Sequence, residues 1–241
     1  MDLYGYTRSA VQSGHALITP DTHVATRRSG WDGASTVVHI SPQMGARFTH
    51  FTARLESAGV GAAPPPGIER FVYVLKGEII CDSKTVSSGG YVYQPAGSIM
   101  AMQAETASEL VVFERPYLPR PDVAPPELMI GCEDQTEAEP FQGDPDAQLQ
   151  TLLPESPSFD MAVNIFTYQP GATLPQVEIH VMEHGLIMLA GAGVYRLGDA
   201  WYPVTAGDII WMAPYCPQWF VAMGKQPARY LYYKDVHREG V

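Results

Sequence analysis

The chain has 241 residues, with 15 Lys and Arg against 26 Asp and Glu, so its formal net charge is −11. This balance argues against nucleic acid or an anionic membrane as a partner, because both are bound through a basic surface. The composition is 46% hydrophobic and 17% charged, which predicts a folded core in one or two domains. Its apolar runs are too short to span a bilayer.

The first residues and the cysteines both indicate a cytoplasmic protein. Met1–Tyr4 contain neither the basic region nor the apolar run of a secretory signal. Cys81, Cys132 and Cys216 are too widely spaced for a disulfide framework or a cysteine-based zinc site. We therefore expect buried, reduced thiols.

Gly and Pro, with 22 and 21 residues, separate short aliphatic and aromatic runs along the chain. This pattern is typical of an all-β sandwich or barrel rather than of alternating strands and helices. In the first half the predicted strands are 37–40, 48–55, 71–75, 78–81, 91–93 and 109–113. In the second half they are 161–168, 177–181, 185–189, 193–197, 208–212 and 229–233.

The middle of the chain, residues 116–157, differs in composition. It is rich in proline and contains a cluster of acidic residues. Because proline donates no hydrogen bond to a sheet, we do not expect a central strand here. The segment is predicted to be an extended, acidic connector between two β domains.

The same pattern occurs on both sides of this segment. In each half an apolar strand ends at a glycine, Gly77 or Gly191, and a hairpin follows. A second glycine, Gly89 or Gly207, then precedes an apolar strand that leads to a proline. The repeat resembles the cupin, a small jelly-roll β-barrel, and predicts a bicupin with two tandem barrels. The expected domains are an N-terminal barrel (1–115), the connector (116–157) and a C-terminal barrel (158–241).

Cupins place metal ligands at defined positions in these two motifs, and the second half carries polar residues there. Six residues separate His184 from Gly191, His180 lies four residues before His184, and Glu178 lies two residues earlier again. In the second motif, the position of the last ligand holds Gln218. The candidate metal ligands are therefore Glu178, His180, His184 and Gln218.

This donor set indicates a site for a moderately hard divalent ion. Glu178 and His180 are two apart on a predicted strand and project to the same face, and His184 is expected on the next strand. Two imidazoles, a carboxylate and an amide suit Mn²⁺ better than a thiol-rich zinc site would, although the order of affinities does not identify the metal. A single carboxylate leaves a divalent site positive, which favours an anionic ligand.

The N-terminal half lacks this set and is predicted to be metal-free. No histidine precedes Gly77 in the first motif, and Met100 stands at the last ligand position. Glu69 is one residue out of register, and Arg70 occupies the ligand position instead. We expect this barrel to serve as a scaffold.

The last predicted strand places Tyr230, Tyr232 and Lys234 on one face. A lysine turned into a barrel is costly unless it meets an anion or acts as an acid or base. On these residues alone, two interpretations stay open: Lys234 is a solvated charge beside packed tyrosines, or it belongs to a site. Tyr195 is likewise either a core residue or a hydroxyl directed at a ligand.

Together these motifs resemble the (S)-ureidoglycine aminohydrolase family. In the second half the resemblance rests on residues 178–185, the turn at 191–195, Gln218 and residues 230–235. In the first half it rests on residues 16–21, 67–77 and 89–98. The Glu-x-His-x3-His pattern with a glutamine is specific, because most cupins carry His-x-His and a terminal histidine.

The resemblance implies a hydrolase of C–N bonds in linear amidine-type substrates. Family members use Mn²⁺ to convert (S)-ureidoglycine to (S)-ureidoglycolate and ammonia in purine and allantoin breakdown. The implied roles are metal ligation for Glu178, His180, His184 and Gln218, and catalysis and substrate binding for Tyr195, Tyr230 and Lys234. Lys234 would anchor the carboxylate or ureido group and shuttle a proton.

Two other functions stay open on the sequence. A cupin dioxygenase would use Fe²⁺, commonly with three histidine ligands, and a non-enzymatic bicupin would bind a small molecule without a functional metal. The expected partners are a small anionic substrate and further copies of the chain in a homo-oligomer. Neither nucleic acid nor a membrane is expected as a partner.

Overall fold

The computed structural model describes residues 5–238. Met1–Tyr4, from which the absence of a secretory signal was inferred, lie outside the described residues. The first strands are β1 (Ala10–Val11), β2 (His15–Ile18), β3 (Trp31–Ile40), β4 (Thr49–Gly61), β5 (Ile68–Lys76), β6 (Glu78–Cys81), β7 (Lys84–Ser87), β8 (Gly90–Gln94), β9 (Met102–Ala104), β10 (Ser108–Pro116) and β11 (Met129–Cys132). The later strands are β12 (Ala138–Phe141), β13 (Asp144–Thr151), β14 (Met161–Tyr168), β15 (His184–Ala190), β16 (Ala192–Leu197), β17 (Ala200–Thr205), β18 (Ile209–Met212), β19 (Gln218–Met223) and β20 (Ala228–Asp235).

Helical structure in the described residues is limited to three 3-10 helices of three residues each, at Pro20–Thr22, Pro42–Met44 and Glu133–Gln135. None of the helices in this part of the chain is long and apolar enough to cross a membrane. The all-β prediction is confirmed.

The chain divides into two compact units. The N-terminal unit contains residues 24–136 and Ser156–Asp160. Its strands form one antiparallel sheet in the order β11-β8-β5-β10-β4-β9-β6-β7, with β3 paired to β4. The apolar side chains of one face of this sheet form the core of the unit, which includes Phe51, Val72 and Val112.

The C-terminal unit contains residues 5–23, Glu137–Glu155 and residues 161–238. An eight-stranded sheet runs β1-β2-β18-β15-β20-β14-β13-β12, and a second sheet runs β17-β16-β19. The core of this unit is rich in aromatic residues, among them Phe166, Tyr230 and Phe220.

The repeated glycine that ends the β15 strand is explained by crowding. Gly191 has a φ of +72°, a left-handed conformation that glycine adopts at little cost. A Cβ atom at this position would collide with the backbone carbonyl of Pro227. Gly77 has a φ of +81° and meets the backbone of Ala107 in the same way. The glycines of the repeat therefore end the equivalent strand in each half.

The start of the chain belongs to a different unit from the one expected. Residues 1–115 were predicted to form the N-terminal barrel, but residues 5–23 are part of the C-terminal unit. Strand β2 pairs with β18, with Leu17 opposite Ile210. The two terminal guanidinium nitrogens of Arg8 donate to the buried Asp208 carboxylate, at 2.8 and 2.9 Å. We call residues 5–23 the N-terminal strap.

Residues 116–157 also differ from the predicted connector. They contain β11, β12 and β13, and the two units meet in sequence between Thr136 and Glu137. The prolines are accommodated because β12 lies at the edge of its sheet and its register shifts after Pro140. Pro145 lies at the start of β13, before its pairing with β14 begins at Ala147.

Candidate active site

The C-terminal unit encloses a cavity of about 120 Å³ between its two sheets. All seven candidate site residues of this unit line it. The full lining is Phe141, Phe166, Leu174, Glu178, His180, Met182, His184, Leu186, Tyr195, Gln218, Tyr230, Tyr232 and Lys234. The structure thus brings together four metal-ligand candidates and three catalytic candidates that are up to 56 residues apart in sequence, from Glu178 to Lys234.

Three of the ligand candidates are placed by strand ends and one short bridge. His184 is the first residue of β15 and lies opposite Lys234 of β20. Gln218 is the first residue of β19, and its backbone exchanges two hydrogen bonds with Glu178, at 2.9 and 3.0 Å. The backbone of His180 is fixed by a hydrogen bond of 2.7 Å from the Tyr215 N–H to the His180 carbonyl.

The predicted strand at 177–181 is wrong. The segment forms a single isolated bridge between Glu178 and Gln218 instead of a ladder. The edge of β19 that faces this segment is bonded beyond Gln218 by residues 171–174, for example by the Leu174 N–H to the Phe220 carbonyl at 2.9 Å. Glu178 and His180 therefore reach the cavity from an irregular segment, and only His184 lies on a regular strand.

The donor atoms of the ligand candidates lie close to one another. His180 Nε2 lies 3.9 Å from Glu178 Oε2 and 2.9 Å from Gln218 Nε2. The rings of His180 and His184 stack, with centroids 4.8 Å apart and an interplanar angle of 26°. Within residues 5–238, no three or more His, Cys, Asp or Glu side chains are already arranged to hold a metal ion.

The unsatisfied nitrogens of the two imidazoles fit a metal ligand. His184 Nε2 and His180 Nδ1 are buried and have no hydrogen-bond partner within residues 5–238. A buried polar atom without a partner costs free energy, about 1–3 kcal/mol. Coordination of a cation by His184 Nε2 removes that cost. The chemistry of the set, two imidazoles with one carboxylate and one amide, also suits a divalent ion.

The electrostatics of the cavity keep the key imidazole neutral. Burial lowers the pKa of His184 well below its ordinary value, and the charges of His180 and Lys234 lower it further. A neutral imidazole is the form that binds a metal. Burial raises the pKa of Glu178, while His180 and Lys234 oppose that shift. A cation in the cavity would favour the ionised carboxylate.

Lys234 and three tyrosines line the same cavity. Tyr230 and Tyr232 are buried on β20, on the same face as Lys234. Burial raises the pKa of Tyr195, of Tyr230 and of Tyr232. Their hydroxyls therefore stay protonated at neutral pH and can donate hydrogen bonds. The Tyr230 hydroxyl also lies 3.3 Å from that of Tyr168.

Two supporting residues were missed by the sequence analysis. Asn164 donates a hydrogen bond to the Tyr232 hydroxyl at 2.9 Å, and the Tyr232 ring stacks parallel to His184 at 5.7 Å. Glu183 accepts a hydrogen bond from the indole N–H of Trp211 at 2.7 Å. The position of Asn164 within the predicted strand 161–168 was a usable signal, because it is a polar residue in an apolar run.

Glu183 anchors the segment that carries the histidines. Its backbone N–H donates a 2.5 Å hydrogen bond to the carboxylate of Asp235, at the end of β20. Since Glu183 precedes His184 and Asp235 follows Lys234, this contact fixes the two functional side chains relative to each other. Nothing in the sequence spacing indicated the pair, which is separated by 52 residues.

Comparisons with known proteins agree with this architecture. A cupin domain family model matches residues 164–233. The (S)-ureidoglycine aminohydrolase of Arabidopsis thaliana is 38% identical over 247 residues, covering 98% of this chain and 80% of the plant protein. The (S)-ureidoglycine aminohydrolase of Escherichia coli K12 is 36% identical, covering 96% of this chain and 92% of the bacterial one. The crystal structure of the protein Ylba from E. coli superposes with a TM-score of 0.86 at 33% identity, covering 98% of this chain and 96% of that one.

Proposed function

The chain belongs to the (S)-ureidoglycine aminohydrolase family, and from this premise we propose that its C-terminal barrel hydrolyses (S)-ureidoglycine to (S)-ureidoglycolate and ammonia. The reaction belongs to purine and allantoin breakdown. The observation that carries the proposal is the single cavity in which the Glu178, His180, His184 and Gln218 side chains meet Lys234.

We propose that these four side chains hold Mn²⁺. The support is chemical: a mixed nitrogen and oxygen donor set, and the buried His184 Nε2 without a hydrogen-bond partner. When bound, the ion would supply Lewis acidity and positive charge to the polar groups on the reacting carbon. The low pKa of His184 means that no proton has to leave this ligand at neutral pH.

Lys234 is proposed to bind and orient the substrate. Its ammonium group lines the same cavity as the metal-ligand candidates, and Lys234 is the cross-strand neighbour of His184. An ammonium group there can bind the substrate carboxylate or the ureido oxygen. It can also donate a proton from Nζ to the departing amine and take one from the attacking water.

Tyr195 and Tyr230 are proposed to complete the substrate contacts. Both side chains are buried and line the cavity, so their hydroxyls face the substrate in a site that excludes bulk water. Because burial raises the pKa of both groups, they act as hydrogen-bond donors rather than as bases at neutral pH. The cavity of about 120 Å³ restricts the substrate to a small molecule.

The proposed location is the cytoplasm. Cys81, Cys132 and Cys216 are all free thiols, and none of them forms a disulfide. Free thiols are typical of reducing compartments.

Ammonia release tests the function directly. The metal-stripped protein is assayed with freshly generated (S)-ureidoglycine before and after addition of Mn²⁺, against the spontaneous rate. We expect ammonia release above the spontaneous rate only with the metal, and a rate no faster than the spontaneous one in both cases would contradict the proposal. Oxygen consumption in place of ammonia release would indicate a dioxygenase. A protein without bound metal and without turnover would indicate a binding bicupin.

A matched pair of histidine variants locates the activity. His184→Ala removes a proposed ligand, and His237→Ala removes an exposed histidine near the end of the described chain. We expect the first to lose Mn²⁺ and ammonia release together, and the second to keep both. Equal activity of the two variants would place the site elsewhere.

A further inference from the structure

The N-terminal barrel has a charged pair at the positions that the C-terminal barrel uses for its site. His184 and Arg70 each lie seven positions before the glycine that follows their strand. In β15, His184 lies opposite Lys234, and in β5, Arg70 lies opposite Glu114. The two barrels therefore share a register, and the N-terminal one carries an arginine and a glutamate where the other carries a histidine and a lysine.

In this region the Glu114 carboxylate accepts hydrogen bonds from two guanidinium groups. Arg70 binds Glu114 Oε1 at 2.7 Å, and Arg28 Nη2 binds Glu114 Oε2 at 2.7 Å. Arg70 is almost completely buried, with 3% of its side chain exposed, whereas 32% of the Arg28 side chain is exposed. The cluster thus has more positive than negative charge, and the surplus lies at its accessible end.

Arg70 makes further hydrogen bonds within the protein, whereas Arg28 has N–H groups available to a ligand. Arg70 Nη1 also donates to the carbonyl of Ala62 at 2.5 Å and approaches Gln94 Oε1 at 3.4 Å. Among the described residues, Arg28 contacts Glu114 through one hydrogen of Nη2. The second hydrogen of Nη2, together with the N–H of Nε or Nη1 beside it, can form a paired contact with another acceptor. The Arg28 guanidinium lies over the Phe51 ring, 4.5 Å from its centroid, and this packing restricts its orientation.

A groove of about 440 Å³ opens beside these groups. Arg28, Arg70 and Glu114 line its polar side, and Trp31, Ala63 and Pro65 contribute apolar surface. A guanidinium group offers a planar pair of donors that matches a carboxylate. The apolar wall suits a short hydrocarbon substituent on the ligand.

We propose that this groove is a second ligand site, which binds a small monocarboxylate on the Arg28 guanidinium. One carboxylate balances the surplus charge of the Arg28–Glu114–Arg70 cluster. The chain as a whole has a net charge of −11, which repels ligands with several negative charges. The site lies within the N-terminal unit and uses none of the residues that line the C-terminal cavity.

Propionate is the probe for this site, and propionamide is its uncharged counterpart. Binding is measured by ligand-observed NMR and isothermal titration on the full chain at constant ionic strength. Arg28→Gln removes the proposed anchor, and Arg27→Gln makes the same charge change at the neighbouring exposed arginine. Lys234→Met removes the cation of the C-terminal cavity.

In the Lys234→Met background, which lacks the cation of the C-terminal cavity, we expect propionate to bind, to bind equally when Arg27→Gln is added, and to bind at least tenfold more weakly when Arg28→Gln is added, with no binding of propionamide. In that background, an unchanged affinity with Arg28→Gln, an equal loss with Arg27→Gln, or no binding of propionate at all would each overturn the proposal. If Arg28→Gln does not fold, Arg28→Lys replaces it. Lysine keeps the charge but not the paired donors, so its affinity is expected to fall several-fold, and an unchanged affinity would overturn the proposal.

Discussion

Substitution of Arg8 with alanine removes the ion pair that holds the N-terminal strap on the C-terminal barrel. Arg8 donates to both carboxylate oxygens of Asp208, at 2.8 and 2.9 Å, and to the carbonyl of Pro203 at 3.0 Å. Asp208 is completely buried, and after the substitution its remaining hydrogen bond comes from the backbone N–H of Thr205 at 2.9 Å. The variant therefore leaves a buried carboxylate without its counter-charge.

The expected loss is moderate, because the cation is partly exposed. Removal of one partner from a fully buried pair costs about 3–5 kcal/mol. The Arg8 side chain is 34% exposed, so water can reach the vacated space and screen the charge. We therefore expect Arg8→Ala to lower the free energy of unfolding by about 2 kcal/mol. An unfolding entropy of about 2.1 cal/mol/K per residue then gives a Tm about 4 °C lower for a chain of this length.

Thermal unfolding of Arg8→Ala and of Asp208→Asn, alone and combined, measures this contribution. The coupling energy of the double-mutant cycle isolates the pair from other effects of each substitution. Arg27→Ala, at an exposed arginine, is the matched control for the loss of one positive charge. A Tm of Arg8→Ala within about 1 °C of that of the control, or a coupling energy near zero, would show that the pair does not stabilise the fold.

Three further predictions concern the site and the core of the N-terminal unit. Glu178→Ala is expected to lose bound Mn²⁺, measured by elemental analysis, together with ammonia release; retention of either contradicts its role as a ligand. Lys234→Met is expected to fold and keep its metal but to lose a factor of about 10²–10⁴ in kcat; an unchanged kcat removes Lys234 from the mechanism. Burial and the neighbouring Asp160 raise the pKa of Glu69 well above its ordinary value. The folded state therefore binds this proton more tightly than the unfolded state, and the stability of the wild type falls as the pH rises from the unfolded pKa toward the folded one. Glu69→Gln should gain Tm relative to the wild type as the pH rises above the ordinary carboxyl pKa, and a pH-independent difference would contradict this.

The candidate site was predictable because it is encoded in local spacing. Glu178, His180 and His184 occupy seven consecutive positions, and their distance from Gly191 is fixed by the length of one strand. Gln218 was placed in the same way, from the glycine of the next hairpin. The cavity gathers these residues with Tyr195, Tyr230 and Lys234. The alternation along the last strand indicated the shared face of Tyr230 and Lys234, whereas the role of Tyr195 was left open.

Features that depend on distant pairing were not predictable. Strand β2 pairs with β18, almost 200 residues further along the chain, and its four residues carry no pattern that identifies the partner. The prolines in residues 116–157 argued against strands there. In the structure these prolines lie at a sheet edge and at the start of a strand, where a missing N–H is tolerated. The hydrogen bond between the Glu183 N–H and the Asp235 carboxylate likewise joins the start of β15 to the end of β20, which only the folded sheet brings together.

The N-terminal strap is connected to the candidate active site through paired residues on neighbouring strands. His15 of β2 lies opposite Met212 of β18, Met212 lies opposite His184 of β15, and His184 lies opposite Lys234 of β20. These residues form one row across four neighbouring strands, and the spacing within such a row is set by backbone hydrogen bonds, at about 4.5–5.5 Å per step. A shift of β2 by one residue would turn its side chains to the opposite face of the sheet. The contacts of β2 with Met212 would then change, and Met212 is the neighbour of His184. Weakening the Arg8–Asp208 pair is therefore expected to reduce the affinity for metal as well as the Tm, although neither residue lines the cavity.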